Sequence, residues 1–453
     1  MDLILGDLLP AAVFAVIFPI IFMCGEIVRR KLPTRPEFSR KVVHFGGGMA
    51  ALSFPFVLRS PYTVLLLALL FAAIILLTKR MGLLKSVHGV DRQSSGAVYF
   101  PIAITLLFFL GHDRQVFYLI SVLTLTISDS LAALVGTQYG VITYEVEEGR
   151  KSLEGSLVFF FITFLCVHLP LLLLTDFGRL DSVLIALVIA ILVTGFEAIS
   201  LKGSDNIFVP LGTFFILVKM TRYPLGDTVE QTGILFLIIF VSFALTFVQK
   251  VLKPSGLIGL MLVNYAAWSL CDFSWFLPLL LAQLLLYALV LRFRQQVPED
   301  ITGYQVKGLF YVVIVPVALI FFSNASGEYQ RLYLPYVAAI VSQITLIFVY
   351  FLSIRNGKSM PVRGLHFAAL LRGTLCTAVA TAIIALLPLF LYPTGPLWLV
   401  LGEVMLATIG AFGIFQLATA RLTDDGHEWV LRQRIRMGAS AFAAGVVFLA
   451  QLI

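Results

Sequence analysis

Asp129 interrupts an apolar run and is surrounded by Thr126, Ser128, Ser130, Ala132, Ala133 and Gly136. A carboxylate inside a membrane span is costly and by default marks a function. Its small neighbours suit packing against another helix, where an interhelical hydrogen bond is the alternative reading. Four more polar clusters lie nearby in the chain. Residues 40–48 carry Arg40, Lys41 and His44, then Gly46, Gly47 and Gly48. On a helix, Arg40 or Lys41 and His44 sit one turn apart. Basic groups beside a helix start suit an anion, and the same residues also read as a juxtamembrane anchor. Residues 89–96 form a polar turn with Asp91, Arg92, Ser94 and Ser95, which alone reads as a loop.

Residues 149–156 combine Arg150, Lys151, Ser152, Glu154 and Gly155 at a helix start. Free N–H groups and the helix dipole favour phosphate there. The order is not that of a P-loop, and a capped helix start explains part of it. Glu197, then Lys202, Gly203, Ser204, Asp205 and Asn206, complete the set. Asp129, Glu197 and Asp205 place three carboxylates on one expected membrane face. Mg²⁺ takes one or two carboxylates plus substrate phosphates. Phosphates, a lysine and a divalent ion are the usual parts of phosphoryl transfer.

The elements that must position these groups are transmembrane helices. Hydrophobic residues make up 60% of the 453 residues and charged ones 13%, and mean hydropathy is +0.99. A soluble domain carries about 25% charged residues. Apolar runs such as 8–28, 62–78, 116–136, 156–175, 182–199, 334–353 and 397–420 are long enough to span. The expectation is an all-α polytopic bundle of roughly 16 spans, some short. Residues 1–28 read as a first span, not a cleaved leader, because a basic cluster follows and no basic region precedes. With a non-cytoplasmic N-terminus, 25 of the 32 Lys and Arg fall in cytoplasmic loops, the bias of the positive-inside rule. The polar clusters then share the cytoplasmic face. The formal charge of +7 is a topology signal, and nucleic acid is excluded as a partner for want of a basic domain. The four cysteines lie far apart without a CxxC pair, so neither disulfides nor a thiolate metal site is expected.

Taken in order, Arg40-Lys41-x-x-His44, Asp91-x-x-Ser94-Ser95-Gly96, Asp129-x-x-Ala132-x-x-x-Gly136, Lys151-Ser152-x-Glu154-Gly155-Ser156, and Glu197 followed by Asp205-Asn206 and Pro210 resemble the polyprenol/phytol kinase family over about residues 25–220. That family includes dolichol kinase and the CTP-dependent diacylglycerol kinases. The resemblance implies transfer of the γ-phosphate of CTP, with Mg²⁺, to a long-chain isoprenoid alcohol drawn from the membrane lipids. Carried over by position, Asp129, Lys151 and Glu154 would be catalytic. Arg40, Lys41, His44, Ser152, Gly155 and Asn206 would bind the nucleotide, and Asp129, Glu197 and Asp205 the metal. A related phosphatidate cytidylyltransferase would carry an Asp-Arg-x-Asp-type motif, whereas apolar residues follow Asp205-Asn206 here. CDP-lipid synthesis and a non-enzymatic lipid or solute transporter are the alternatives; a transporter would need its polar residues near the midplane.

A kinase-like domain is thus expected over 1–221 and a second transmembrane domain over 222–453. The latter's Lys253-Pro254-Ser255-Gly256, with segments near Arg363, Arg372 and Glu403, is weakly similar to the phytyl-phosphate kinase-like membrane family. That family's Asp-Thr-x-Ala-Ser-type motif is absent around Glu403, so this domain is expected to be degenerate or structural. His168, inside a span, is expected to be a hydrogen-bonded core residue. Asp424, Asp425, His427 and Glu428 read as a solvated loop.

Overall fold

The computed structural model describes residues 6–34, 36–84, 86, 95–147, 149–249, 252–293, 306–355, 367–420, 422 and 426–452. Side chains at 246–249, 293, 353–355, 367–370 and 426–429 are outside this description. Asp91, Arg92, Ser94, Arg363, Asp424 and Asp425, and the side chains of His427 and Glu428, therefore lie outside the described residues. The chain is an all-α polytopic integral membrane protein. Ten described helices are long and apolar enough to cross a bilayer. The expectation of roughly 16 spans also counted shorter apolar stretches, of which Gly96–Leu110 and Leu371–Ile384 are two. The chain divides into two compact units, Met1–Gly233 and Ile234–Ile453.

In the first unit, α1 (Leu8–Lys31) ends on Arg29, Arg30 and Lys31, cations that suit the negative end of the helix dipole. α2 (Pro36–Leu52) opens on Pro36, with Glu37 in its first turn. Proline is at home there because a first-turn N–H has no intrahelical partner. After one helical turn, Phe54–Val57, comes α3 (Pro61–Arg80). Asp7 holds the approach to α3. Its carboxylate accepts from the N–H of Arg59 at 3.0 Å and of Ser60 at 2.8 Å, just ahead of Pro61. α4 (Gly96–Leu110) and α5 (Gln115–Leu123) follow. α5 continues through a π turn, Thr124–Ser128, into α6 (Asp129–Tyr139). The Tyr118 hydroxyl donates to the Ala51 carbonyl at 2.8 Å, tying α5 to α2.

The one β-sheet among the described residues is a hairpin. β1 (Thr143–Val146) and β2 (Gly149–Ser152) pair antiparallel, with Tyr144 opposite Lys151. α7 (Leu153–Leu174), α8 (Arg179–Ile199) and α9 (Asp205–Met220) complete the site. His168 of α7 stacks on Phe164, with ring centroids 5.4 Å apart. Its Nδ1 is buried without a hydrogen bond, so the expected hydrogen bond is not made at that atom.

α10 (Leu225–Gln249) runs from the first unit into the second. In the second unit, Tyr329–Arg355 is the central helix: 94% of its most apolar stretch is buried. Around it lie Phe273–Phe293, Val306–Ser326, Leu397–Thr419 and Gly426–Ala450. The Tyr333 hydroxyl donates to the Ser274 carbonyl at 3.0 Å, and Asn264 and Gln283 exchange amide hydrogen bonds at 3.1 and 2.7 Å. Paired amides of this kind fix one helix register inside an apolar bundle. All four cysteines are free.

Candidate active site

A cavity of about 560 Å³ opens within the first unit. It is lined by Arg40, Lys41, His44, Asp129, Lys151, Ser152, Gly155, Glu197, Asp205 and Asn206. Residues from five separate stretches thus meet at one place. Of the residues singled out for chemistry, Glu154 does not line it. The Glu154 carboxylate turns back and accepts from the Ile142 N–H at 3.0 Å, tying α7 to the start of the hairpin. From the turn at 89–96, Ser95 and Gly96 are described, and Gly96 lines the cavity.

Two ion pairs organise the polar wall. Lys41 Nζ donates to Asp129 Oδ2 at 2.6 Å, and the lysine side chain is only 3% exposed. Burying two charges is offset only by close geometry and further hydrogen bonds. His44 supplies one: its Nε2 lies 3.2 Å from Asp129 Oδ2 and 3.3 Å from the Leu125 carbonyl oxygen. With an ionised Asp129 both partners only accept, which assigns the ring proton to Nε2. The second pair is Lys151 Nζ to Glu197 Oε1 at 2.7 Å. Lys151 also donates to the Glu197 backbone carbonyl. Burial opposes the Lys151 charge, but Glu197, and Asp205 after it, outweigh that and raise its pKa above 10.5. Arg40 forks onto Glu37 one turn earlier, at 2.5 and 3.1 Å.

Local structure sets these groups. Thr124–Ser128 is a π turn immediately before Asp129, a bulge that concentrates at functional sites. α2 can approach it because residue 48 is glycine: a Cβ there would stand 2.0 Å from Thr126 Oγ1. The closeness brings Lys41 and His44 of α2 to Asp129. Between α6 and α7, a Cβ on Gly155 would lie 3.1 Å from both the Ala132 carbonyl oxygen and the Gly136 Cα. Ser152 caps α7, its Oγ accepting from the Gly155 N–H at 3.1 Å. The hairpin carries Lys151 to Glu197, and the Tyr144 hydroxyl bonds Ser156 Oγ at 2.7 Å. Ahead of α9, Lys202 has φ 50° and Gly203 φ 81°. A non-glycine residue in the left-handed region costs about 1–2 kcal/mol, and such strain gathers at sites the surrounding fold over-determines. The Lys202 carbonyl accepts from the Ser95 N–H at 2.9 Å, tying the start of α4 to this turn.

Asp205 and Asn206 differ from the paired groups. Asp205 Oδ1 and Asn206 Oδ1 are buried without a hydrogen-bond partner, while Asn206 Nδ2 donates to the Gly203 carbonyl at 3.1 Å. Adjacent unsatisfied oxygens are the hard donors a divalent cation takes. Among the described residues no three His, Cys, Asp or Glu side chains converge as a ready-made metal cage. The arrangement offers cations for anionic oxygens and two oxygens for a cation brought with them.

Sequence reasoning missed the rest of the lining. Phe18, Ile21 and Phe22 of α1 and Phe71 and Ile75 of α3 face the same cavity. In uniformly apolar spans nothing distinguishes a residue facing a cavity from one facing lipid. Phe18 and Phe22 share a helix face by their four-residue spacing, the one signal available.

No family model matches the chain, and no solved structure does. The phytol kinase of Synechocystis sp. is 35% identical over 200 residues, which span 43% of this chain and 84% of that protein. At that identity, and across most of the relative's length, the chain belongs to the phytol kinase family.

Proposed function

We propose that this protein is an integral membrane kinase that transfers the γ-phosphate of CTP to a long-chain isoprenoid alcohol such as phytol or a polyprenol. The observation that carries the reading is one cavity with two kinds of lining. Paired lysines and carboxylates meet aromatic and aliphatic side chains of two lipid-facing helices. The likeness to a phytol kinase supports it independently.

In this reading Lys41, Lys151 and Arg40 neutralise phosphate oxygens, each leaving or sharing its carboxylate partner. Phosphoryl transfer through a loose transition state asks mainly for positioning and charge neutralisation. Asp205 and Asn206 would hold Mg²⁺ through their unpartnered oxygens, with phosphates and water filling its shell. The ion, when bound, offsets negative charge on the phosphates. Asp129 keeps Lys41 and His44 aligned. The alcohol oxygen attacks the γ-phosphorus, the bond from that phosphorus to the β-bridging oxygen breaks, and CDP leaves. The hydroxyl proton passes to a carboxylate of the cavity. Gly136 and Gly155 let α6 and α7 pack closely, which sets Ser152 and Lys151 beside the cavity. By the bias of its positive charges, the polar end faces the cytoplasm and the N-terminus the other side.

Purified protein in lipid discs, offered phytol, farnesol, a dolichol, diacylglycerol and, in a separate arm, phosphatidate with γ-labelled CTP or ATP, tests the reading. Labelled prenyl monophosphate is expected, with CTP preferred. Labelled pyrophosphate with a CDP-lipid would assign a cytidylyltransferase instead. Absence of labelled lipid and pyrophosphate from every pair would sink both and favour transport.

A further inference from the structure

Two helices give the cavity an almost wholly apolar flank. α1 contributes Phe18, Ile21 and Phe22; α3 contributes Phe71 and Ile75, with Lys79 as the charged exception. The rings meet across the gap between the helices. Phe71 lies edge-on to Phe18 at 4.1 Å between centroids and 5.2 Å from Phe22. Phe18, Phe22 and Ile75 are buried, yet Ile20 and Met23 on α1 and Leu70 and Leu76 on α3 are exposed. Both helices are apolar enough to span, with only 22% of the most apolar stretch of each buried. A single layer of aromatic side chains therefore separates the cavity from a surface suited to lipid.

Apolar surface turned towards a charged cavity is unfavourable in water, and ligand sites retain it where an apolar part of the ligand covers it. Phosphates and ribose have no such part. A chain with one polar end does. Aromatic rings are stiff, with two side-chain torsions, and form well-defined walls. Carbons beyond the ring layer would meet lipid and touch nothing in the cavity.

We infer that Phe18, Phe22 and Phe71 form a gate between α1 and α3 that reads the width of the acceptor next to its hydroxyl and leaves chain length unread. The inference rests on the lipid-alcohol reading above and adds its selectivity rule. The rings touch across the gap, and a single prenyl chain passes when one of them turns aside. A glycerol carrying two acyl chains branches within two carbons of its hydroxyl and is excluded there.

The test compares kcat/KM for farnesol, phytol, a long polyprenol and dioleoylglycerol, each at fixed mole fraction in lipid discs. Wild-type protein is set beside Phe71→Ala, Phe71→Leu and Phe22→Ala. The three prenols should agree within about tenfold, since units outside the gate contribute little discrimination. Phe71→Ala should raise the dioleoylglycerol-to-phytol ratio by about tenfold or more, the scale of a pocket enlarged by several carbons. Phe71→Leu should fall between, with the nucleotide KM unchanged in both. Should Phe71→Ala fail to fold, the Leu variant and Phe22→Ala carry the comparison. A steep length cut-off in the wild type, or unchanged ratios in folded variants, overturns the gate alone. Wild-type protein that phosphorylates no alcohol overturns the gate and the kinase reading together.

Discussion

Lys41 and Asp129 are 88 residues apart in sequence and 2.6 Å apart in space. Removing one partner strands the other charge in the interior, at a cost of about 3–5 kcal/mol. Asp129→Asn should abolish transfer and lower the unfolding midpoint. Replacing both, as Lys41→Met with Asp129→Leu, should recover much of the stability and none of the activity, because apolar isosteres of a buried pair are often neutral. A double variant as unstable as the single one in thermal unfolding would contradict the ion-pair account.

Lys151 predicts an alkaline limit. Its folded pKa is raised above 10.5, against burial, by Glu197 and Asp205. A raised pKa stabilises the fold fully below the unfolded value, and that contribution is lost as pH climbs through the folded value. The midpoint should thus owe no pH dependence to this lysine from neutrality to about pH 10 and decline beyond it. Lys151→Met should remove that alkaline decline. Lys151→Ala should abolish transfer in folded protein. Midpoints scanned against pH, with turnover at neutral pH, check both.

Gly48→Ala would push a methyl into Thr126, 2.0 Å from its Oγ1 and 2.7 Å from its Cβ. Overpacking of this kind costs about 1–3 kcal/mol. The displaced π turn carries Asp129 with it, so kcat should fall more than stability explains. A variant with wild-type kcat would separate the π turn from catalysis.

Asp7 is 1% exposed and binds the backbone N–H groups of Arg59 and Ser60. It does not line the cavity. Asp7→Ala should cost about 1.5–3 kcal/mol, the range for hydrogen bonds to a charged group, with turnover per folded molecule unchanged. Reduced kcat at full folding would give Asp7 a further role.

Asp205→Asn should raise the Mg²⁺ concentration needed for half-maximal turnover, and chelation by EDTA should stop the wild-type reaction reversibly. Unaltered Mg²⁺ dependence in the variant would remove Asp205 from the metal site.

The polar clusters were legible because charge in a span is costly enough to need a reason. Their pairing was not. Sequence spacing cannot say that Lys41 meets Asp129 or that Lys151 meets Glu197, since those contacts depend on helix packing. The π turn at Thr124–Ser128 was hidden because a slip of one residue leaves no trace where small polar and apolar residues are mixed on every face. The hairpin at Thr143–Ser152 was hidden too. Its strands are four residues each; β1, Thr143-Tyr144-Glu145-Val146, alternates polar and apolar side chains, but the run is minimal and β2, Gly149-Arg150-Lys151-Ser152, has no alternation to pair with it. Glu154 carried a motif's expectation, but its partner, the Ile142 N–H, comes from the hairpin that the sequence did not announce.

The three cation–carboxylate pairs have a bearing on what the pocket ignores. Lys41 with Asp129, Lys151 with Glu197 and Arg40 with Glu37 leave a vacant cavity nearly self-compensated. A stray phosphate or an anionic lipid headgroup must compete with an acid already in place, and in a low-dielectric interior that competition is steep. A visitor that brings its own counterion can exchange partners, each acid finding a new cation as its old one turns to the phosphates. Immersed among anionic headgroups, such a site stays unfouled by its own surroundings.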